Sequence, residues 1–108
     1  MGLKVTAIRS KFLRDAARGQ QCTLQIPGVC KGRTDTTILA HLDGEEKGRG
    51  LKVDDLFGAD ACFECHAALD GHKLNTSERM FYECRALRRT LKRRVRQGVI
   101  KIKGYENG

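Results

Sequence analysis

The sequence predicts a small α+β domain that is stapled together more than it is held by a large core. Three observations carry this. The chain has 108 residues, no Trp and only 6% aromatic residues, so the apolar core it can build is modest. Its hydrophobic pattern switches between short β-type runs and helical stripes without an internal repeat. Four of its five cysteines fall into two spaced pairs, Cys22-x7-Cys30 and Cys62-x2-Cys65, with 31 residues between them.

Taken in order, residues 3–19 read as a short basic helix. Ile8, Phe12 and Ala16 lie at helical spacing, and Gly19 is a plausible stop. Pro27-Gly28 is a turn signal, because Pro presets φ and Gly accepts a positive φ after it. Such a turn brings Cys22 and Cys30 together. Thr36 to Leu42 is β-branched, apolar and bounded by turn residues, which predicts a strand. Alternation puts Thr37, Leu39 and His41 on one face and Ile38, Ala40 and Leu42 on the other.

Asp43 to Gly50 is a polar, glycine-rich loop, and Leu51 to Val53 is expected as a second short strand. Asp54 or Asp55 is expected to cap a helical turn through Phe57. Phe63 to Leu69 reads as a helix that ends at Gly71. Residues 78–97 are expected as the longest helix, capped by Ser77 and ended by Gly98. Met80, Phe81, Cys84, Leu87, Leu91 and Val95 form its apolar stripe, which makes Cys84 a buried core thiol. Val99 to Ile102 is expected as a final strand.

The two cysteine pairs describe a four-thiolate zinc site of treble-clef type, with two ligands from a loop and two from a turn entering a helix. A redox Cys-x-x-Cys is the rival reading, but that motif needs no second pair. The chain has no apolar run near the length that a membrane span needs, roughly 18 residues or more. MGLKVTAIRSKFLRD has no apolar core of a secretory signal. A cytoplasmic location, with reduced cysteines, is therefore expected.

The net charge of +8 is unevenly spread. Residues 1–34 carry seven Lys/Arg against one acid, residues 35–70 three against nine, and residues 71–108 eleven against three. Basic flanks suit a polyanion, because phosphate neutralisation releases counterions. An acidic middle suits phosphate only when a cation reverses its local sign. The long helix carries Arg85, Arg88, Arg89, Lys92, Arg93 and Arg96 on the side away from its predicted stripe. One-sign crowding of this kind favours phosphate contact over a merely solvated face.

Chemistry has few candidates, since there are only three histidines. His41 lies on the predicted strand, where a satisfied structural histidine is the common case. His66 follows Cys65 directly, and His66 and Asp70 share a helix face at i,i+4. That pair can offer one nitrogen and one oxygen to a divalent cation. A strand histidine facing a helix histidine across a metal is a workable site for phosphodiester hydrolysis. His72, past Gly71, reads as a surface residue.

The run Leu39-Ala40-His41-Leu42, a polar loop, and then Ala61-Cys62-Phe63-Glu64-Cys65-His66 resembles the HNH (ββα-metal) endonuclease motif with its associated zinc site. AIRSKFLRDAARGQQCTL, IPGVC, LAHL and ACFECHAALDG resemble segments of small nucleases encoded in lambdoid phages and prophages. The resemblance covers about residues 4–72. It implies a single HNH-like nuclease domain over residues 1–108, with a core at about 20–72 and a basic helix at about 77–97. It implies His41 as general base and His66 as a ligand of the catalytic metal, Mg²⁺ or Mn²⁺; two departures from the family pattern leave Asp70 or His72 to complete that site, with His41 an alternative ligand. Cys22, Cys30, Cys62 and Cys65 match the structural zinc ligands. Two positions depart from the pattern: Ala40 stands where the family often has a metal ligand, and the middle Asn has no match, Asp54 and Asp55 being near its place. The implied activity is metal-dependent cleavage of nucleic acid, DNA first, with low sequence specificity. The rival is a non-catalytic zinc module that binds nucleic acid. Oligomeric state is not implied.

Overall fold

The computed structural model describes residues 7–42, 54–71 and 73–105. Helix α1 (Lys11–Ala16) leads to strand β1 (Ile38–His41), a 3-10 turn (Asp55–Phe57), strand β2 (Gly58–Ala61), helix α2 (Phe63–Asp70) and helix α3 (Thr76–Arg96). The result is a small α+β fold: one two-stranded antiparallel sheet and three helices. The predicted strand at Leu51 to Val53 and the surface position of His72 lie outside the described residues.

Helix α1 is shorter than expected. Ser10 caps it, its hydroxyl accepting from the Leu13 amide at 3.2 Å. Upstream, the chain is tied to the 3-10 turn instead: the Ile8 carbonyl accepts from the Asp55 amide at 2.7 Å, and the Ile8 amide donates to Asp54 Oδ1. Asp54 thus holds the N-terminal segment and makes no cap bond of its own. The buried face of α1 is also different from the one expected. Leu13 and Ala17 pack on Leu39, with Val99 and Ile100 beside them, while Phe12 is 81% exposed.

Strand β1 pairs with β2 in the register Ile38↔Ala61, Leu39↔Asp60, Ala40↔Ala59 and His41↔Gly58. Strand β2, Gly-Ala-Asp-Ala, has no β-branched residue and was not expected from sequence. It is a strand because its neighbours pair with it. Thr23 bonds its outer edge, donating its amide and hydroxyl to the Asp60 carbonyl at 2.8 and 2.9 Å. A Cβ on Gly58 would lie 2.6 Å from Leu39 Cγ, so the Leu39 side chain needs a glycine there.

The two faces of β1 divide the core. Leu39 faces α1, whereas Ala40 and Leu42 join Leu24, Ile26, Ala59, Ala61, Ala68, Leu69 and Ala86 around the buried cysteines. Alanines and cysteines fill much of this core, which is why a staple matters.

Helix α3 begins at Asn75, two residues before the expected Ser77 cap. Asn75 and Glu78 form a capping box, with bonds of 2.8 and 3.0 Å. It ends in a Schellman arrangement: Gly98 has φ +76°, Gly98 N donates to Val95 O, and Val99 N donates to Arg94 O. The amides of Val99 and Ile100 both go to Arg94 O, so the expected strand at Val99 to Ile102 does not form.

The face that α3 buries is the main correction to the sequence reading. Its buried line is Ala86, Thr90 and Arg94. Leu87 packs at the core edge, but Met80, Phe81 and Cys84 are exposed. Cys84 is therefore a surface thiol and not a core one. The physical reason is Asp60. This fully buried carboxylate on β2 draws Arg94 inward, where the two form a bidentate ion pair, and Arg93 adds a bond of 2.6 Å. Thr90 accepts from the Asp60 amide at 3.1 Å. Since the Thr23 hydroxyl proton already goes to the Asp60 carbonyl, Thr90 donates its own to Thr23 at 3.1 Å. A polar cluster, not an apolar stripe, sets the rotation of the helix.

Candidate metal centre and histidine sites

The thiols of Cys22, Cys30, Cys62 and Cys65 all lie within 4.8 Å of one another. Zinc–sulfur bonds of about 2.3 Å in a tetrahedron put sulfurs roughly 3.8 Å apart, so a small closure seats one ion. The donor set is therefore of the right kind and size for a metal such as zinc. The Ile26 carbonyl accepts from both Val29 and Cys30, which closes the Pro27-Gly28 turn and returns Cys30 toward Cys22. Gln25 at φ +47° and Gly28 at φ +76° supply the left-handed steps of this loop. On the other side, Cys62 is the N-cap of α2, its sulfur accepting from the Cys65 amide at 3.5 Å.

Electrostatics at the cluster also favour a cation. A thiol hydrogen bond from Cys65 pulls Cys22 down to about 4, and amides of residues 24, 25 and 62 assist. The same bond, together with burial, pushes Cys65 well above the ordinary thiol range. Burial and the Cys22 charge push Cys62 up to about 11. Without a metal, the charge thus gathers on Cys22 while Cys62 and Cys65 hold their protons. A divalent ion lets the rest ionise.

A row of arginines on α3 holds the segment that carries Cys22. Arg85 donates to the Leu24 carbonyl at 2.8 Å, Arg89 to the Thr23 carbonyl at 3.3 Å and Arg93 to the Gln21 carbonyl at 2.9 Å. The basic face named from sequence thus divides in two. Arg85, Arg89 and Arg93 clamp the cysteine loop, whereas Arg88, Lys92 and Arg96 lie on the exposed side.

His41 sits at the end of β1, 26% exposed, with Nε2 2.7 Å from Asp55 Oδ1. Asp55 is fully buried at its side chain. Its Oδ2 accepts from the Ser10 amide at 2.7 Å and from Arg14 at 2.5 Å, and Arg9 stands 3.7 Å from Oδ1. Burial alone would push this carboxyl up. The bonds from His41, Ser10 and Arg14 and the charge of Arg9 outweigh it and hold it below the usual carboxylate range. An ionised Asp55 only accepts, so His41 Nε2 carries the proton of that bond. In the neutral ring, the basic lone pair is then on Nδ1.

His66 is on the first turns of α2, half-buried, with Nε2 3.4 Å from Asp70 Oδ2. Two donors at that separation can share one ion with bonds near 2.1 Å. Among the described residues, the four cysteines are the one group in which three or more Cys, His, Asp or Glu donors converge. Ala40, at the position where the resembled motif often has a metal ligand, is part of the core.

From sequence, Asp55 is a candidate helix cap near the place of the missing Asn, Arg9 and Arg14 are mostly solvent-facing helix residues, and neither Asp60 nor Arg94 is singled out. Arg14 and Asp55 are 41 residues apart, so no local spacing reveals them. Asp60 did carry a signal: an acid flanked by alanines in a run entering a cysteine pair is a charge with nowhere to go but a buried partner.

Comparison with known proteins identifies the family of the chain. Residues 11–99 match a protein-family model described as "Putative nuclease YbcO". A protein of that name from Escherichia coli strain K12 is 38% identical over 92 residues, covering 82% of this chain and 96% of its own length. A counterpart from Enterobacteria phage 82 matches to the same extent. A solved structure, described as a putative bacteriophage protein from Escherichia coli K-12 MG1655, superposes with a TM-score of 0.68 at 34% identity, covering 81% of this chain and all of the other. No helix among the described residues is long and apolar enough to cross a membrane. With 89 consecutive positions matched by the family model, the chain belongs to the YbcO family of nucleases so described.

Proposed function

We propose that this protein is a metal-dependent endonuclease of the HNH type. It would hydrolyse phosphodiester bonds in nucleic acid, DNA first, with low sequence specificity and in phage or prophage DNA metabolism. The observation that carries the reading is the 2.7 Å contact between His41 and a buried, ionised Asp55. A histidine held by a buried, ionised carboxylate is a general base in a defined orientation. In the step envisaged, His41 Nδ1 takes a proton from water, the water oxygen bonds to phosphorus, and the bond from phosphorus to the leaving oxygen breaks. That oxygen ends protonated by solvent. Asp55 is the positioning residue and stabilises the imidazolium that forms. His66 and Asp70 would hold a Mg²⁺ or Mn²⁺ ion, which supplies charge stabilisation to the phosphate. The four cysteines hold zinc as a structural ion, and Arg88, Lys92 and Arg96 provide phosphate contacts.

Purified zinc-loaded protein incubated with DNA and added Mg²⁺ or Mn²⁺ tests this. His41→Ala should lower cleavage by about 10²–10⁴-fold, the range of general-base contributions. Unchanged cleavage in that variant would remove His41 from the mechanism. A second reading, a non-catalytic nucleic-acid-binding zinc module, draws on the convergence of donors at the cysteines alone among the described residues. Steeply salt-dependent DNA binding without cleavage by any divalent ion would favour it.

A further inference from the structure

Helix α3 carries an outward depression of about 560 Å³ lined by Met80, Phe81, Cys84, Arg85, Arg88 and Arg89. These are two adjacent i,i+4,i+8 ridges of one helix. Met80 is 64% and Phe81 59% exposed, an unusual placement for large apolar side chains on a helix whose other face is buried. The Phe81 ring also has two ring-face or ring-edge neighbours. The Arg85 guanidinium lies 5.3 Å from its centroid, and the Tyr82 ring meets it edge-on at 5.2 Å. Arg85 is itself tied to the Leu24 carbonyl. The result is an exposed aromatic ring with Arg85 over one face and Arg88 and Arg89 in the same lining.

From this geometry we infer that the α3 depression binds single-stranded DNA, with an unpaired base stacked on Phe81 and the adjoining phosphates on Arg88 and Arg89. The inference deepens the nuclease reading and rests on it for its biological sense. Charge selects the occupant. A second copy of this chain would bring three more arginines against these three, whereas a polyanion is attracted. Base pairing hides the base faces that an exposed aromatic ring can stack on, so a duplex would use the cations and leave Phe81 and Met80 unused. Deoxyribose is taken from the nuclease reading, and an RNA strand is the contrasting outcome in the test.

The test uses full-length, zinc-loaded protein without added Mg²⁺ or Mn²⁺, so that binding is read apart from cleavage. Probes are a fluorescent oligodeoxythymidylate, a duplex and an oligouridylate of matched length. Phe81→Ala and Phe81→Leu should each weaken oligodeoxythymidylate binding by about fivefold or more, the lower end of measured base-stacking losses. Duplex binding should change less than twofold. Cys84 gives a second readout, since it is the exposed cysteine and the other four belong to the metal cluster. Oligodeoxythymidylate should slow its alkylation by a maleimide, and duplex should not. Equal binding by wild type and both Phe81 variants would overturn the proposal, as would preference for duplex or for oligouridylate. A dimer in sedimentation that Phe81→Ala abolishes would assign the surface to a second copy and overturn it too. Loss of cleavage in His41→Ala with these results intact, or absence of cleavage altogether, bears on the nuclease reading and leaves this one standing.

Discussion

Asp60→Asn is the most informative single perturbation of the fold. The change keeps shape and removes one charge at a fully buried position. In the native protein, Asp60 receives a bidentate pair from Arg94, which is 1% exposed, and a 2.6 Å bond from Arg93. An asparagine can accept on one atom only, and its NH₂ would point at guanidinium donors. Arg94 would then be a buried cation without a counter-charge, a situation that costs about 3–5 kcal/mol. A domain of this size has about 5–15 kcal/mol in total. With a urea slope of about 1–3 kcal/mol per molar, the unfolding midpoint should fall by roughly 1–5 M. The assay is urea unfolding of zinc-loaded protein by circular dichroism, with zinc release followed by a chromophoric chelator. Both transitions should move together, because β2 runs from Asp60 directly into Cys62. Arg93→Met should cost less than Arg94→Met, since Arg93 is partly exposed and Asp60 would keep its bidentate partner. A loss below about 1 kcal/mol for Asp60→Asn, smaller than the usual penalty for a broken buried pair, would refute the reasoning.

Three further outcomes follow from the same geometry. If the four cysteines hold zinc as proposed, removing it by chelation or by Cys65→Ser should unfold the chain, because structural zinc binding is worth about 10–16 kcal/mol in small domains and rivals the total stability; a folded apo-protein by circular dichroism would contradict this. Asp55 is held below the usual carboxylate range, so its contribution is complete above the unfolded value of 3.8 and is lost as pH falls through its lowered native value; the stability difference between wild type and Asp55→Asn should be constant near neutral pH and narrow below about pH 4. Gly58→Ala puts a methyl group 2.6 Å from Leu39 Cγ, an overpacking expected to cost about 1–3 kcal/mol in urea unfolding.

The metal cluster was legible because each half is local. Pro27-Gly28 and the Cys62-x-x-Cys65 turn announce themselves within a few residues. Strand β1 and helix α2 were legible for the same reason. Strand β2 was not, since Gly58-Ala-Asp-Ala61 has no strand propensity and exists only through its partners, β1 and Thr23. The rotation of α3 was misread for a related reason. Periodicity marks Met80, Phe81 and Cys84 as the inward stripe, but a single carboxylate on β2 draws Thr90 and Arg94 inward instead. Asp55 was visible as an acid near the right place, yet only its contacts with His41, Ser10 and Arg14 give it a role.

The arginine row on α3 has a consequence for how this sequence can drift. Arg85, Arg89 and Arg93 grip main-chain oxygens at Leu24, Thr23 and Gln21. Such contacts read the path of the chain and are blind to the side chains on it. Positions 21 and 24 can therefore change identity without loosening the loop that presents Cys22, so long as volume at Leu24 is kept. The helix enjoys no such freedom: a lysine in place of any of the three would keep the charge but surrender the planar fork that reaches a carbonyl at a fixed angle. Variation among homologues should thus be lopsided, tolerant on the gripped strand of chain and strict on the helix that grips it.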